Sequence, residues 1–127
     1  MLKKRVIPTL LFQHDRMVKG RQFTDFRDVG KPATSVRIYS AQDADELILL
    51  NITRQRGNKE DFVQVLSQIS QKCFVPLSVG GAINNLYDAR LYFNAGADKI
   101  IVNSKLYENT NIITEIANEY GQQAVVA

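Results

Sequence analysis

The chain has one cysteine and one histidine in 127 residues, and neither has the company its chemistry requires. Cys73 has no second thiol for an internal disulfide and no companions for a thiolate zinc cluster. Flanked by Phe74 and Val75, it reads as a small buried structural group. His14 has no second imidazole or cysteine with which to share a metal, and a lone loop histidine is ordinarily solvated and idle. Long apolar runs are missing as well. The opening Met-Leu-Lys-Lys-Arg leads into a short apolar run containing Pro8, too short for a signal-peptide core with its cleavage site or for a membrane span. These absences give the expectation of a cytoplasmic protein with no metal, no cofactor and no membrane contact.

Charge of one sign is scarce too. The net charge is +3 and the pI about 9.1, with lysines and arginines scattered along the chain. No basic stripe is interleaved with aromatics, which argues against nucleic acid as a partner. The one dense patch, residues 54–59, reads equally as a solvated loop or an anion site. The composition, 45% hydrophobic and 23% charged, is that of a globular domain, and the length suits one domain spanning residues 1–127.

Five short apolar runs have the character of buried parallel strands: residues 6–12, 46–52, 76–79, 99–103 and 123–127. Helical periodicity fills the gaps at 33–42, 60–71, 86–94 and 109–120. The expected inward stripes are Val36, Ile38 and Tyr39, then Phe62, Val65, Leu66 and Ile69, then Leu86, Ala89, Leu91 and Tyr92, then Ile112, Ile113 and Ile116. Asn84, Asn85 and Asn109 stand where N-caps belong, and Gly96 and Gly121 where a left-handed residue ends a helix. Strict alternation of strand and helix predicts a parallel sheet with right-handed crossovers.

A doubly wound sheet and a barrel both fit that alternation. The even rhythm, and the similar strand ends Val79-Gly80-Gly81-Ala82 and Asn103-Ser104, favour the barrel. A whole (βα)8 barrel takes about 250 residues. The expected fold is therefore α/β, the N-terminal half of a TIM barrel with four βα units plus a fifth strand. That strand has no covering helix and an unpaired edge, which predicts a truncated barrel or a half-barrel that self-associates.

Three groups of residues can carry chemistry. Gly80-Gly81 after an apolar strand lets backbone N–H groups approach an anion, and the helix that follows offers its dipole. Alone this is more often a tight connection; paired with Asn103 and Ser104 it reads as a phosphate site. Lys19 can reach a phosphate as a cation on a flap, although a surface lysine is the plainer account. Arg5, Glu46 and Lys99 each begin a predicted strand, so in a barrel they meet at the bottom, opposite the active-site mouth. Charges crowded there must pair. They form either a salt-bridge plug or a gate over a path through the barrel.

Together these features resemble one family over the whole chain: the cyclase subunit of imidazole glycerol phosphate synthase, in its first half. The resemblance rests on Arg5-Val6-Ile7-Pro8-Thr9-Leu10-Leu11, Val18-Lys19-Gly20, Phe23, Arg27-Asp28, Gly30 and Pro32. It continues through Asp45-Glu46-Leu47, Ile52-Thr53, Val79-Gly80-Gly81, Gly96-Ala97-Asp98-Lys99 and Gln123-Ala124-Val125-Val126. It implies a (βα)8 barrel that takes ammonia from a glutaminase docked at its bottom, as a heterodimer, and uses it on a bisphosphorylated ribosyl substrate at the top. It also implies a phosphate site at Gly80, Gly81, Asn103 and Ser104, with Lys19 as the flap lysine. Arg5, Glu46 and Lys99 would be three of four gate charges, and Asp98 and Gln123 would lie near the glutaminase interface.

Two departures decide the functional expectation. Where the family has its first catalytic aspartate this chain has Leu11, and where it has a further aspartate this chain has Asn51. Cyclisation needs a placed acid–base group, and leucine cannot transfer a proton. A kept bottom and an altered top resemble the paralogues associated with glycosyl amidation in surface polysaccharide synthesis. The expected function is an ammonia-channelling subunit serving a sugar amidotransferase. The alternatives are the authentic cyclase-lyase of histidine biosynthesis, a non-catalytic scaffold for a glutaminase, and another phosphate-binding barrel enzyme such as an isomerase.

Overall fold

The computed structural model describes residues 3–22, 24–53 and 59–127. Phe23, and all of the basic patch except Lys59, lie outside the described residues.

One seven-stranded sheet organises the chain, in the order β3-β2-β1-β4-β5-β6-β7. Its parallel part comprises β1 (Thr9–Gln13), β4 (Leu47–Asn51), β5 (Leu77–Gly80), β6 (Lys99–Ile101) and β7 (Val125–Val126). Each adjacent parallel pair is joined through a helix: α1 (Pro32–Ala41), α2 (Lys59–Ser70), α3 (Leu86–Asn94) and α4 (Asn111–Tyr120). The expected half-barrel architecture of four βα units and a fifth strand is therefore present.

The expectation of five strands is corrected to seven. What reads as a polar flap after the first strand is a hairpin, β2 (Arg16–Arg21) and β3 (Thr24–Gly30), added antiparallel to β1. Its polar, charged sequence hides a strand because the outer strand has no layer to bury against: only Phe26 and Gly30 of β3 escape full exposure. Such an edge is kept from pairing with other chains by its charges. The tight turn is made by His14 and Asp15, both at positive φ (48° and 59°), the geometry that matches strand twist in a two-residue hairpin.

Strand alternation divides the sheet into two faces. Leu10, Phe12, Leu47, Leu49, Leu77, Val79 and Ile100 are buried on the helix side. There they meet Val36 of α1, Phe62, Leu66 and Ile69 of α2, Ala89 and Tyr92 of α3, and Ile112 and Ile116 of α4. The predicted helix stripes hold except at Ile38, which is 47% exposed. Val36 and Tyr39 already cover that side of the helix, and Ile38 lies beyond the arc the sheet can reach. The first strand starts at Thr9 rather than Val6, and Val6 is instead tied at a loop by the Asp45 carboxylate, which accepts its N–H at 2.6 Å. Cys73 is only partly buried; its thiol donates to the Val75 carbonyl at 3.2 Å.

Two cap assignments differ as well. The N-cap of α4 is Thr110, while Asn109 stands one residue outside it and accepts the Asn111 N–H at 3.0 Å. Gly121 is the terminal cap of α4 itself, at φ 97°, whereas Gly96 follows the cap Ala95 at φ 115° as expected.

Candidate functional site

The inner face, opposite the helices, carries the residues of interest in two registered rows. Near the strand starts the row runs Thr9, Ile48, Ser78, Lys99; near the strand ends it runs Leu11, Leu50, Gly80, Ile101, Val126.

The lower row is charged at its margin. Glu46 precedes β4, and its Oε1 accepts from Arg5 Nη1 at 2.5 Å and lies 3.6 Å from Lys99 Nζ. The structure thus brings the three predicted charges together on one carboxylate. The Glu46 side chain is 13% exposed, against 61% for Arg5. The carboxylate is the part-buried hub and Arg5 its solvent-side partner. Asp98, at the same end, accepts the Leu77 N–H at 2.8 Å and pins the start of β5. Gln123 is exposed, in a short 3-10 turn over residues Gln122–Ala124.

The upper row is apolar. Leu11 pairs in register with Leu50, and nothing titratable stands between them. Asn51 is not beside Leu11: it is one residue out of phase, registered with Phe12, and buried toward the helices. The two positions at which the resemblance expects an aspartate therefore point to opposite faces of the sheet.

Beyond the upper row opens a cleft of about 320 Å³ lined by Leu50, Asn51, Gly81, Ala82, Asn103 and Ser104 among others. Gly81, Ala82, Asn103 and Ser104 line it from the ends of two adjacent strands. Backbone amides at such strand ends are the equipment for an anion.

Two expectations about this cleft need correction. Gly80 does not line it. A Cβ at Gly80 would stand 2.8 Å from Leu50 Cδ2, so this glycine makes room for its neighbour on the inner face. Nor is the α3 dipole free. Asp88 Oδ2 accepts the Asn84 N–H at 2.9 Å, Asn85 caps the Asp88 N–H at 2.9 Å, and Lys59 pairs with Asp88 at 2.7 Å. The helix already has its own carboxylate as counter-charge. The spacing Asn85-x-x-Asp88 is the sequence signal of such a cap.

Lys19 is placed elsewhere, on β2, lining a separate cleft of the hairpin with Arg21, Phe26 and Arg27. His14 is exposed at the hairpin turn, its N–H donating to Thr53 Oγ1 at 3.3 Å. Among the described residues no group of acidic, histidine and cysteine side chains could hold a metal ion. No helix there is long and apolar enough to cross a membrane.

The buried residue that sequence reading assigned only to the core is Tyr92. It is fully buried, and its hydroxyl donates to the Gly81 carbonyl at 3.2 Å. Burial first, then the nearby Asp88 charge, push its pKa up to about 12, against a hydrogen bond from Asn51 that works the other way.

Comparison with known proteins agrees with this geometry. Residues 5–127 match the family described as histidine biosynthesis protein. The chain is 40% identical over 126 residues to a Campylobacter jejuni protein provisionally named imidazole glycerol phosphate synthase subunit hisF2. It is 42% identical over the same length to the imidazole glycerol phosphate synthase subunit HisF of Dictyoglomus thermophilum, and 40% to that of Alkaliphilus metalliredigens. Each match covers 99% of this chain and 50% of the relative, so the chain spans about half the length of the curated relatives it matches. The chain belongs to the histidine biosynthesis protein family.

Proposed function

We propose that this chain is the first half-barrel of an ammonia-conducting subunit that no longer performs cyclisation itself. Ammonia released by a glutaminase partner would enter at Arg5, Glu46 and Lys99, with Asp98 and Gln123 at the docking rim. It would pass along the inner face to an acceptor at the top. We assign sugar amidation for surface polysaccharide synthesis, through a separate amidotransferase, as the use of that ammonia.

The observation that carries this reading is the contrast between the two rows. Three charges meet on one carboxylate at the strand starts, while the row at the strand ends is Leu11, Leu50, Gly80 and Ile101. In this reading a path for a small base is kept while the proton-transfer group is lost. Loss of one placed acid–base group commonly lowers rate on the order of a hundredfold or more.

A second reading, the cyclase-lyase of histidine biosynthesis, is favoured by the names of the Alkaliphilus metalliredigens and Dictyoglomus thermophilum relatives, which are synthase subunits. The test is ammonium-dependent turnover of the bisphosphorylated ribosyl substrate by the full-length protein. The conduit reading expects none above background, with recovery in Leu11→Asp alone, because Asn51 faces away from the reacting side. Turnover at the level of an aspartate-bearing relative overturns it in favour of the cyclase. If Glu46→Gln leaves ammonia transfer from the glutaminase unchanged, the chain is a scaffold.

A further inference from the structure

The cleft beyond the upper row has a foundation on the helix side of the sheet. Gly81 is held from two directions. At φ 104° it adopts a backbone that L side chains rarely reach, and a Cβ there would stand 2.1 Å from the Asn51 carbonyl oxygen. Its own carbonyl accepts the Tyr92 hydroxyl at 3.2 Å. Tyr92 cannot drift: it is fully buried, with the Phe62 ring edge-on at 5.2 Å.

Asn51 Oδ1 accepts the Thr53 N–H at 3.1 Å, and the Tyr92 hydroxyl proton goes to the Gly81 carbonyl. The Gly81 carbonyl and the Ala82 N–H belong to one trans peptide, in which C=O and N–H point in opposite directions. A carbonyl pulled toward Tyr92 therefore turns the Ala82 N–H away from the helices. Ala82 lines the cleft, and its φ of 55° shows a left-handed backbone that a flipped peptide would relieve.

We propose that Tyr92 is a positioning residue for the anion cleft, whose hydroxyl locks the Gly81–Ala82 peptide with the Ala82 N–H presented to a bound phosphate group. The ligand class is a phosphate monoester or inorganic phosphate, held by neutral backbone donors with Asn103 and Ser104 across from them. The proposal rests on reading the cleft as an anion site.

The test is a titration of the full-length protein with inorganic phosphate, following the Ala82 amide by NMR and the dissociation constant. The native protein should bind and shift the Ala82 amide. Tyr92→Phe keeps the ring and removes the hydroxyl. It should weaken binding about fivefold or more, the worth of one oriented hydrogen bond, and abolish the Ala82 shift. Phe93→Leu is the structural control. Phe93 neighbours Tyr92 on α3 and stacks on Tyr120 of α4 (ring centroids 4.0 Å apart), so the variant loosens that stack and should lower stability without changing affinity. Should Tyr92→Phe fail to fold, Tyr92→Leu carries the same test, removing the hydroxyl without placing a charge on the cleft, again with weakened binding. Equal affinity in the native protein and in the folded variant overturns the role of Tyr92 alone. No phosphate binding by the native protein overturns the anion cleft and this proposal with it.

Discussion

Arg5 and Glu46, 41 residues apart in sequence, meet through a 2.5 Å hydrogen bond from Nη1 to Oε1 at the foot of the sheet. The same carboxylate oxygen is 3.6 Å from Lys99 Nζ, so one part-buried acid gathers two bases. Glu46→Gln leaves Arg5 and Lys99 facing each other without it. Because Arg5 is largely in water the stability loss should be small, about 1 kcal/mol by urea denaturation. The larger effect should be functional. Transfer of glutaminase-derived ammonia should fall while complex formation, read by sedimentation, stays intact.

Gly81→Ala tests the opposite end. The added methyl would meet the Asn51 backbone at 2.1–2.9 Å, on a residue at φ 104°. Backbone contacts cannot be relieved by rotating a side chain, and a positive φ adds its own strain of about 1–3 kcal/mol. The variant should be destabilised by about 3 kcal/mol or more in total. Gly30→Ala, also at positive φ but with nothing within 4 Å of the added methyl, should lose only the conformational part. A comparable midpoint shift for both would mean that the fit against Asn51 is looser than the geometry gives.

Asp88→Asn separates the cap from the charge. The amide can still accept the Asn84 N–H, but it leaves Lys59 without its 2.7 Å partner at a site where Asp88 is only 3% exposed. The expected loss is about 1–3 kcal/mol, most of it from the unpaired lysine and the weakened helix N-terminus. Adding Lys59→Gln should recover part of that loss in a double-mutant cycle. A purely additive cycle would sink the pairing.

How far the residue string could be read depended on whether a residue's burial followed from periodicity. The helix α3 was legible to the residue, Leu86–Asn94, because its apolar positions recur on one side and Asn85 caps it. The charged triad was legible because Arg5, Glu46 and Lys99 each stand just before or at an apolar run. The hairpin was not, since Arg16–Arg21 and Thr24–Gly30 carry no burial period and are strands only because β1 offers an edge. The two glycines expected at a phosphate site divided in a way no spacing can reveal. Gly80 accommodates Leu50 on the inner face, and Gly81 the Asn51 backbone beneath the cleft. Tyr92 looked like one more core aromatic because a hydroxyl's partner is set by tertiary approach, here to a carbonyl 11 residues away.

The alkaline limb of stability should report Tyr92. Folding raises its pKa from 10.0 to about 12, chiefly by burying the ring, so the folded protein keeps the phenol proton more tightly than the unfolded chain does. The stabilisation linked to this group is complete below pH 10 and is lost as the pH rises toward 12. Over that window the loss approaches roughly 2–3 kcal/mol on the scale of 1.36 kcal/mol per pKa unit. The exposed pairs Arg16–Asp28 and Arg90–Glu119 act on the other limb. Each arginine holds its carboxylate below the usual value, so their help is present at neutral pH and fades as acid protonates the carboxylates. Denaturant midpoints followed from pH 9 to the alkaline limit should fall in the native protein and stay flatter in Tyr92→Phe. That variant should show the same acid limb as the native protein, because neither surface pair touches α3's buried face. If both proteins lose stability in parallel above pH 10, the phenol is not what the helix layer keeps neutral.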